Sequence, residues 1–289
     1  MKISNPVSFN RSTMTRMAPK IGQYIILTLL VIPFVYPFWW MMINSLNTPD
    51  QIFGMPRLLP VSWKWSNYTE AFAYQPFAKQ FLNSLYIASL VTMGNLFISG
   101  LAGYAFAKMK FKGKNVLFLL LLSALMMPIE VTLIPNFFFM KSLSLIDTHI
   151  PLILIPIFGA QGAFTTFMTR QFFITIPDEL EEAANLDGLT PFNTFVKIIV
   201  PISTPVFSAT AILSFLYSWN SFLEPLVFND NISLFTIPLA LANFNDSYGL
   251  PQWHLQLAAA TASVLPILIV YVIFQKKIIN AMAFSGLKG

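Results

Sequence analysis

Six long apolar stretches dominate the pattern of this chain, at about 21–43, 82–107, 115–135, 150–169, 204–228 and 256–275. Each is close to the ~20 residues that a helix needs to cross the hydrocarbon core of a bilayer. The spacing predicts an all-α, polytopic membrane protein with six transmembrane helices. A membrane β-barrel would alternate apolar and polar residues over short segments instead. Composition agrees, with 56% hydrophobic residues and only 10% charged residues in 289, where a soluble domain carries about 25% charge. Residues 1–20 read as a polar N-terminal tail, and 21–289 as one six-helix membrane domain. Nothing N-terminal has the short core and small-residue cleavage site of a signal peptide.

The basic residues set the expected orientation. With the N-terminus inside, the inner segments hold Lys2, Arg11, Arg16, Lys20, Lys108, Lys110, Lys112, Lys114, Arg170, Lys197, Lys276, Lys277 and Lys288, which is 13 of the 17. Arg57, Lys64, Lys79 and Lys141 fall outside. The excess of basic residues on one side predicts that both termini are cytoplasmic. Segments 44–81, 136–149 and 229–255 then face outward. The basic excess is thereby explained by the membrane, and nucleic acid is not an expected partner.

Between the fourth and fifth spans, residues 170–203 form a polar island. Four carboxylates crowd into five residues (Asp178, Glu179, Glu181, Glu182), and Asp187 follows. Pro177 fits a first helical position, and acid in the first turns favours the helix dipole. Ala183 and Ala184 favour helix, and Gly188 suits a left-handed stop. Thr190-Pro191 reads as N-cap and first residue of a second helix that runs to Val200. The expected result is two short helices hinged at Gly188. Ala183, Ala184, Leu186 and Leu189 would offer a small apolar face beside carboxylates, which is the chemistry of a docking element.

Other features limit the chemistry. There is no cysteine, and His149 and His254 lie far apart, so no metal site is expected. No Gly-x4-Gly-Lys-Ser/Thr loop is present, so nucleotide hydrolysis is not expected in this chain. Prolines recur inside the spans (Pro33, Pro37, Pro128, Pro135, Pro156, Pro205, Pro266) and predict bent helices. Gly94, Ser99, Gly100, Ala102 and Gly103 predict close helix contact. Asn220 and Glu224, four apart in the fifth span, would share a face, and with Glu130 and Asn83 they are candidates to line a translocation path. In segment 229–255, Asn243, Asn245, Asp246 and Trp253 are candidates for outer contacts.

The order Glu182-Ala183-Ala184, Gly188, Ile198, Pro201 resembles the cytoplasmic signature of permease subunits in binding-protein-dependent ABC importers. Val200 stands where that pattern has Leu. Ser45-Leu46-Asn47, Asn83-Ser84-Leu85, Gly103-Tyr104-Ala105-Phe106-Ala107-Lys108, Trp219-Asn220 and Glu224-Pro225-Leu226 extend the likeness to the shorter permease of carbohydrate (maltose-type) importers. That resemblance implies a bacterial inner-membrane subunit, not itself an enzyme, that passes a sugar inward. Its partners would be a second, different permease, two ATPase subunits carrying ATP and Mg, and an extracytoplasmic sugar-binding protein. Glu181, Glu182, Ala183, Ala184, Asp187, Gly188, Ile198 and Pro201 would couple it to an ATPase. Asn243, Asn245, Asp246 and Trp253 would face the binding protein. The competing readings are a secondary transporter driven by an ion gradient and an intramembrane enzyme. The first lacks paired ionisable groups and an inverted repeat, and the second lacks a catalytic pair.

Overall fold

The computed structural model describes residues 11–245 and 248–286. Among the described residues, four stretches are long and apolar enough to cross a membrane: Ile26–Asn44, Phe77–Lys108, Ile150–Ile174 and Trp253–Ile273. Two bent pairs, Lys114–Met126 with Ile129–Ser142 and Pro191–Ile202 with Thr204–Trp219, bring the number to six if each pair is one span. The helices are labelled α1 (Arg11–Asn44), α2 (Phe77–Lys108), α3 (Lys114–Ser123), α4 (Ile129–Ser142), α5 (Ile150–Phe158) and α6 (Ala160–Ile174). They continue as α7 (Glu179–Leu186), α8 (Pro191–Thr194), α9 (Thr204–Trp219), α10 (Leu223–Phe228), α11 (Ile237–Ala242) and α12 (Trp253–Gly286). The expected N-terminal tail is helical from Arg11 onward, as the first turns of α1.

Helix α2 is the centre of the molecule, with α6 and α9 packed along it. Its buried positions recur every three or four residues, from Phe77 through Asn83, Ile87, Val91, Asn95 and Ser99 to Tyr104. Many of them are small or polar, because apolar surface alone does not hold helices together in lipid that is itself apolar. Small residues let backbones approach: a Cβ on Gly94 would meet Ile157, and one on Gly100 would meet Phe207. Hydroxyls then reach the neighbouring backbone. Ser99 Oγ donates to Gly162 O at 3.0 Å, and Thr169 Oγ1 donates to Ser99 O at 3.0 Å. Asn95 Nδ2 donates to Ser214 Oγ of α9 at 3.3 Å. The outer faces expose Leu, Ile, Val and Phe, most of all on α1, where only 6% of the spanning window is buried.

Three expected spans are not single helices, the fourth being interrupted only at Gly159 between α5 and α6. The third turns by 103° between Met126 and Ile129. Proline disfavours the helical conformation in the residue before it, and Met127 is extended at φ −84°, ψ 121°. Glu130 therefore stands in the first turn of a new helix and is exposed, rather than near the end of a straight span. The fifth helix ends at Trp219, and the chain breaks before α10.

The C-terminal end of α2 is capped by cations. Lys114 Nζ donates to Ala107 O and Met109 O at 3.1 and 3.0 Å, and Arg170 Nε donates to Phe106 O at 3.1 Å. The last carbonyls of a helix lack intrahelical partners and carry the negative end of its dipole, so cations satisfy them twice over. The Arg170 guanidinium also lies 4.0 Å above the Phe118 ring, which ties α3 to α6.

Candidate functional site

The polar island lies between α6 and α9. The chain leaves α6 at Ile174, and α7 starts at Glu179 with Asp178 as its N-cap residue, so Pro177 precedes the helix instead of opening it. Asp178 O accepts from the amides of Glu181 and Glu182, both at 3.0 Å. Its carboxylate pairs with Lys108 of α2. The hydrogen bond and charge of Lys108 hold the Asp178 carboxyl below its ordinary pKa.

The far end of α7 is closed by two reverse hydrogen bonds. Leu189 N donates to Ala184 O at 2.9 Å, and Gly188 N donates to Asn185 O at 3.0 Å. Together they form a Schellman motif, which requires a left-handed residue at its centre. Gly188 supplies it, at φ +80°. The second helix then starts as expected, with Thr190 Oγ1 accepting from Asn193 N at 3.3 Å and Pro191 at the first position. It does not end cleanly at Val200. A π-helical turn over Phe195–Ile199 leads into Val200–Ile202, and the chain bends by 83° into α9.

The structure divides the expected coupling residues into two faces. Glu182, Ala183, Asp187, Gly188 and Pro201 are exposed, and Leu186 is 89% exposed at the tip. Ala184 is buried, so the expected apolar face of Ala183, Ala184, Leu186 and Leu189 is not one face: α7 turns Ala184 toward its own chain. Glu181 is also directed inward, where its carboxylate faces the Tyr104 hydroxyl and its Oε1 is buried without a hydrogen-bond partner. Ile198 is half-buried. The deeper anchors are its neighbour Ile199 and Phe195, packed with Tyr104, Phe173 and Ile176. Sequence reasoning passed over Phe195, Ile199, Tyr104 and Lys108. Three apolar residues in a row do not say which one points inward, and Tyr104 and Lys108 counted only towards the family resemblance and, for Lys108, the topology.

The candidate path residues do not converge. Asn220 is the exposed residue that ends α9, and its Nδ2 donates back to Leu216 O at 2.8 Å. Glu224 belongs to α10 and is 5% exposed, so the two do not share a helix face. Tyr217 Oη donates to Glu224 Oε1 at 3.1 Å, and Ser221 Oγ donates to Oε2. Asn83 is buried and donates from Nδ2 to Ser233 O and Phe235 O at 2.9 and 3.1 Å, tying the segment after α10 to α2.

Segment 229–255 folds back into the molecule. Its helix α11 is largely buried, and Ala240 and Phe244 pack with Phe77, Leu255, Ala258 and Ala259. Asn243, Asn245 and Trp253 are exposed, and Trp253 meets Phe53 edge-on at 5.9 Å. Asp246 lies outside the described residues. No group of three or more His, Cys, Asp or Glu side chains suited to a metal ion occurs among the described residues.

Residues 94–283 match the family described as binding-protein-dependent transport system inner membrane component. A probable ABC transporter permease protein, YurM of Bacillus subtilis, is 35% identical over 92% of this chain and 88% of its own length. The arabinooligosaccharides transport system permease protein AraQ of Bacillus subtilis is 32% identical, covering 96% of this chain and 100% of that one. The sn-glycerol-3-phosphate transport system permease protein UgpE of Pectobacterium atrosepticum is 29% identical, over 92% and 96%. Among solved structures, a chain of a bacterial ABC transporter involved in the import of the acidic polysaccharide alginate has the same fold. The TM-score is 0.76 at 22% identity, over 94% of this chain and 99% of that one.

Proposed function

The chain belongs to the inner-membrane components of binding-protein-dependent transport systems, and from that premise we propose that it is the permease subunit through which an ATP-driven importer takes up a carbohydrate. The sugar class rests on relatives named for arabinooligosaccharides, sulfoquinovosyl glycerol and sn-glycerol-3-phosphate. Both termini and α7 face the cytoplasm, as the basic residues require.

One observation carries the coupling reading. Helix α7 presents Glu182, Ala183 and Leu186 to the outside, held between an ion pair at its start and a Schellman turn at its end. An exposed helix with both ends fixed offers a small apolar and acidic face of defined shape for a partner to grip. A partner ATPase, which carries ATP and Mg, receives that face, with Glu182 pairing to a basic residue. Closure of two ATPases draws α7 and its counterpart in a second permease together and rocks the membrane helices. An extracytoplasmic binding protein delivers the sugar near Asn243, Asn245 and Trp253.

Purification and uptake test this reading together. The detergent-extracted complex is expected to bring down an ATPase and a second permease, and uptake in vesicles is expected to stop when ATP is depleted. Uptake that persists without ATP, with no ATPase recovered, would point to an ion-gradient transporter.

A further inference from the structure

Two side chains at the start of α7, Asp178 and Glu181, reach the C-terminal end of α2. Asp178, Glu181 and Ala184 follow at intervals of three and share a side of α7, whereas Tyr104 and Lys108 are four apart and share a side of α2. The two sides meet as a ladder. Asp178 pairs with Lys108, and the Glu181 carboxylate faces the Tyr104 hydroxyl. Ala184 is buried beyond them.

The ladder is anchored from its α2 side. The Lys108 side chain is 5% exposed, and its Nζ also donates to Ile176 O at 2.5 Å. Glu181 Oε1 is buried without a hydrogen-bond partner, a position that a helix free to turn toward water would not keep. Behind Tyr104, its ring packs with Phe195 at 5.3 Å and Phe173 at 6.4 Å. The end of α6 and the segment after α8 thus close on the same point.

We propose that Tyr104 and Lys108 are positioning residues that lock α7 to the C-terminal end of α2, so that the two move as one rigid lever. This rests on the reading of α7 as the element that a partner ATPase moves. Because α6 and α9 pack along α2, a displacement of α7 then reaches the core of the bundle without a slack joint. A loop held only by its ends would absorb the same displacement. The route is distinct from the exposed face of Glu182, Ala183 and Leu186, although the Asp178 side chain at its edge is 80% exposed.

The chain has no native cysteine, so the thiols of a K108C/D178C pair are its only ones, and D178C alone, which keeps the Lys108 bond to Ile176 O, is the control for the loss of that second contact. In the complete transporter, reduced K108C/D178C is expected to lose sugar uptake roughly tenfold, within the range typical of coupling free energies, while the subunits still co-purify. Bridging the two thiols with a short bis-maleimide is expected to form in nucleotide-free and ATP-trapped states alike and to restore uptake. Tyr104→Phe, which removes only the hydroxyl, is expected to raise the ATP hydrolysed per sugar taken up without lowering basal hydrolysis.

Normal uptake in the reduced pair would overturn the lever, as would a bridge that blocks uptake or forms in only one state. Glu182→Lys separates this from the coupling reading. If it abolishes uptake while the lever variants transport normally, the lever alone fails; if Glu182→Lys also transports normally, the coupling reading fails.

Discussion

Gly103 of α2 lies directly against Thr169 of α6, so that a Cβ on the glycine would overlap the Thr169 hydroxyl. That hydroxyl donates to Ser99 O at 3.0 Å, one turn earlier on α2. Neither helix can yield cheaply, because the Thr169 Cβ at 3.0 Å and the backbone nitrogen of Arg170 at 3.1 Å lie just beyond the hydroxyl. Gly103→Ala is expected to destabilise the protein by about 1–3 kcal/mol, the range for overpacking a tight contact. Thermal unfolding in detergent measures it, and Thr169→Ala in the same chain is expected to recover part of the loss.

Gly188 poses the opposite case. No heavy atom lies within 4 Å of its built Cβ, so space is free and only the left-handed backbone resists substitution. Gly188→Asn is expected to be tolerated, whereas Gly188→Val strains the turn by about 1–3 kcal/mol. Thermal unfolding in detergent checks this ranking. Gly188→Asp is expected to abolish sugar uptake while the protein remains in the membrane, which uptake assays and membrane fractionation measure side by side.

His149 links three elements. Leu234 O can only accept, so His149 Nε2, 2.8 Å away, carries the hydrogen, and Nδ1 of the neutral ring accepts from Tyr86. Burial is the largest cause that pulls the His149 pKa below its ordinary value, and nearby Lys79 adds to it, against the opposing hydrogen bond to Leu234 and the charge of Asp147. The stability from the neutral ring is therefore complete above about pH 6.5, the ordinary histidine value, and is lost as pH falls through the depressed folded value. Unfolding temperature is expected to drop more between neutral pH and about pH 5 in the natural chain than in His149→Gln. Equal pH slopes in the two proteins would remove this link.

Glu224 is a buried carboxylate held by Tyr217 and Ser221. Glu224→Ala leaves both hydroxyls without their acceptor and is expected to lower stability by about 1–3 kcal/mol. Glu224→Gln keeps an acceptor and most of that stability. Uptake assays on the glutamine variant distinguish the roles, since a structural tie survives it and a charge in the sugar path does not.

The all-α character and the existence of the polar island were legible in the chain, because both rest on local rules. Twenty apolar residues are enough to call for a membrane helix. Gly188, Thr190 and Pro191 each have a local backbone preference, and each was found where that preference places it. The bend at Pro128 was half legible: proline predicted a distortion, but its size depends on what the next helix packs against. The pairing of Asn220 with Glu224 failed because helical spacing holds only while the helix continues, and α9 ends at Trp219.

By itself, then, the sequence determined the type of its apolar segments and the turn at Gly188, both set by short-range sterics and periodicity, while the family signature was legible only as a resemblance. The tertiary structure alone decided which side of each segment faces inward. It turned Glu181 and Ala184 inward, left Leu186 and Glu182 outside, buried Glu224, and joined Lys108 to Asp178, 70 positions further along the chain. In a chain this apolar, hydrophobicity marks what enters the membrane but not which face meets protein. That choice falls to small residues and a few polar contacts, whose partners lie far away in sequence.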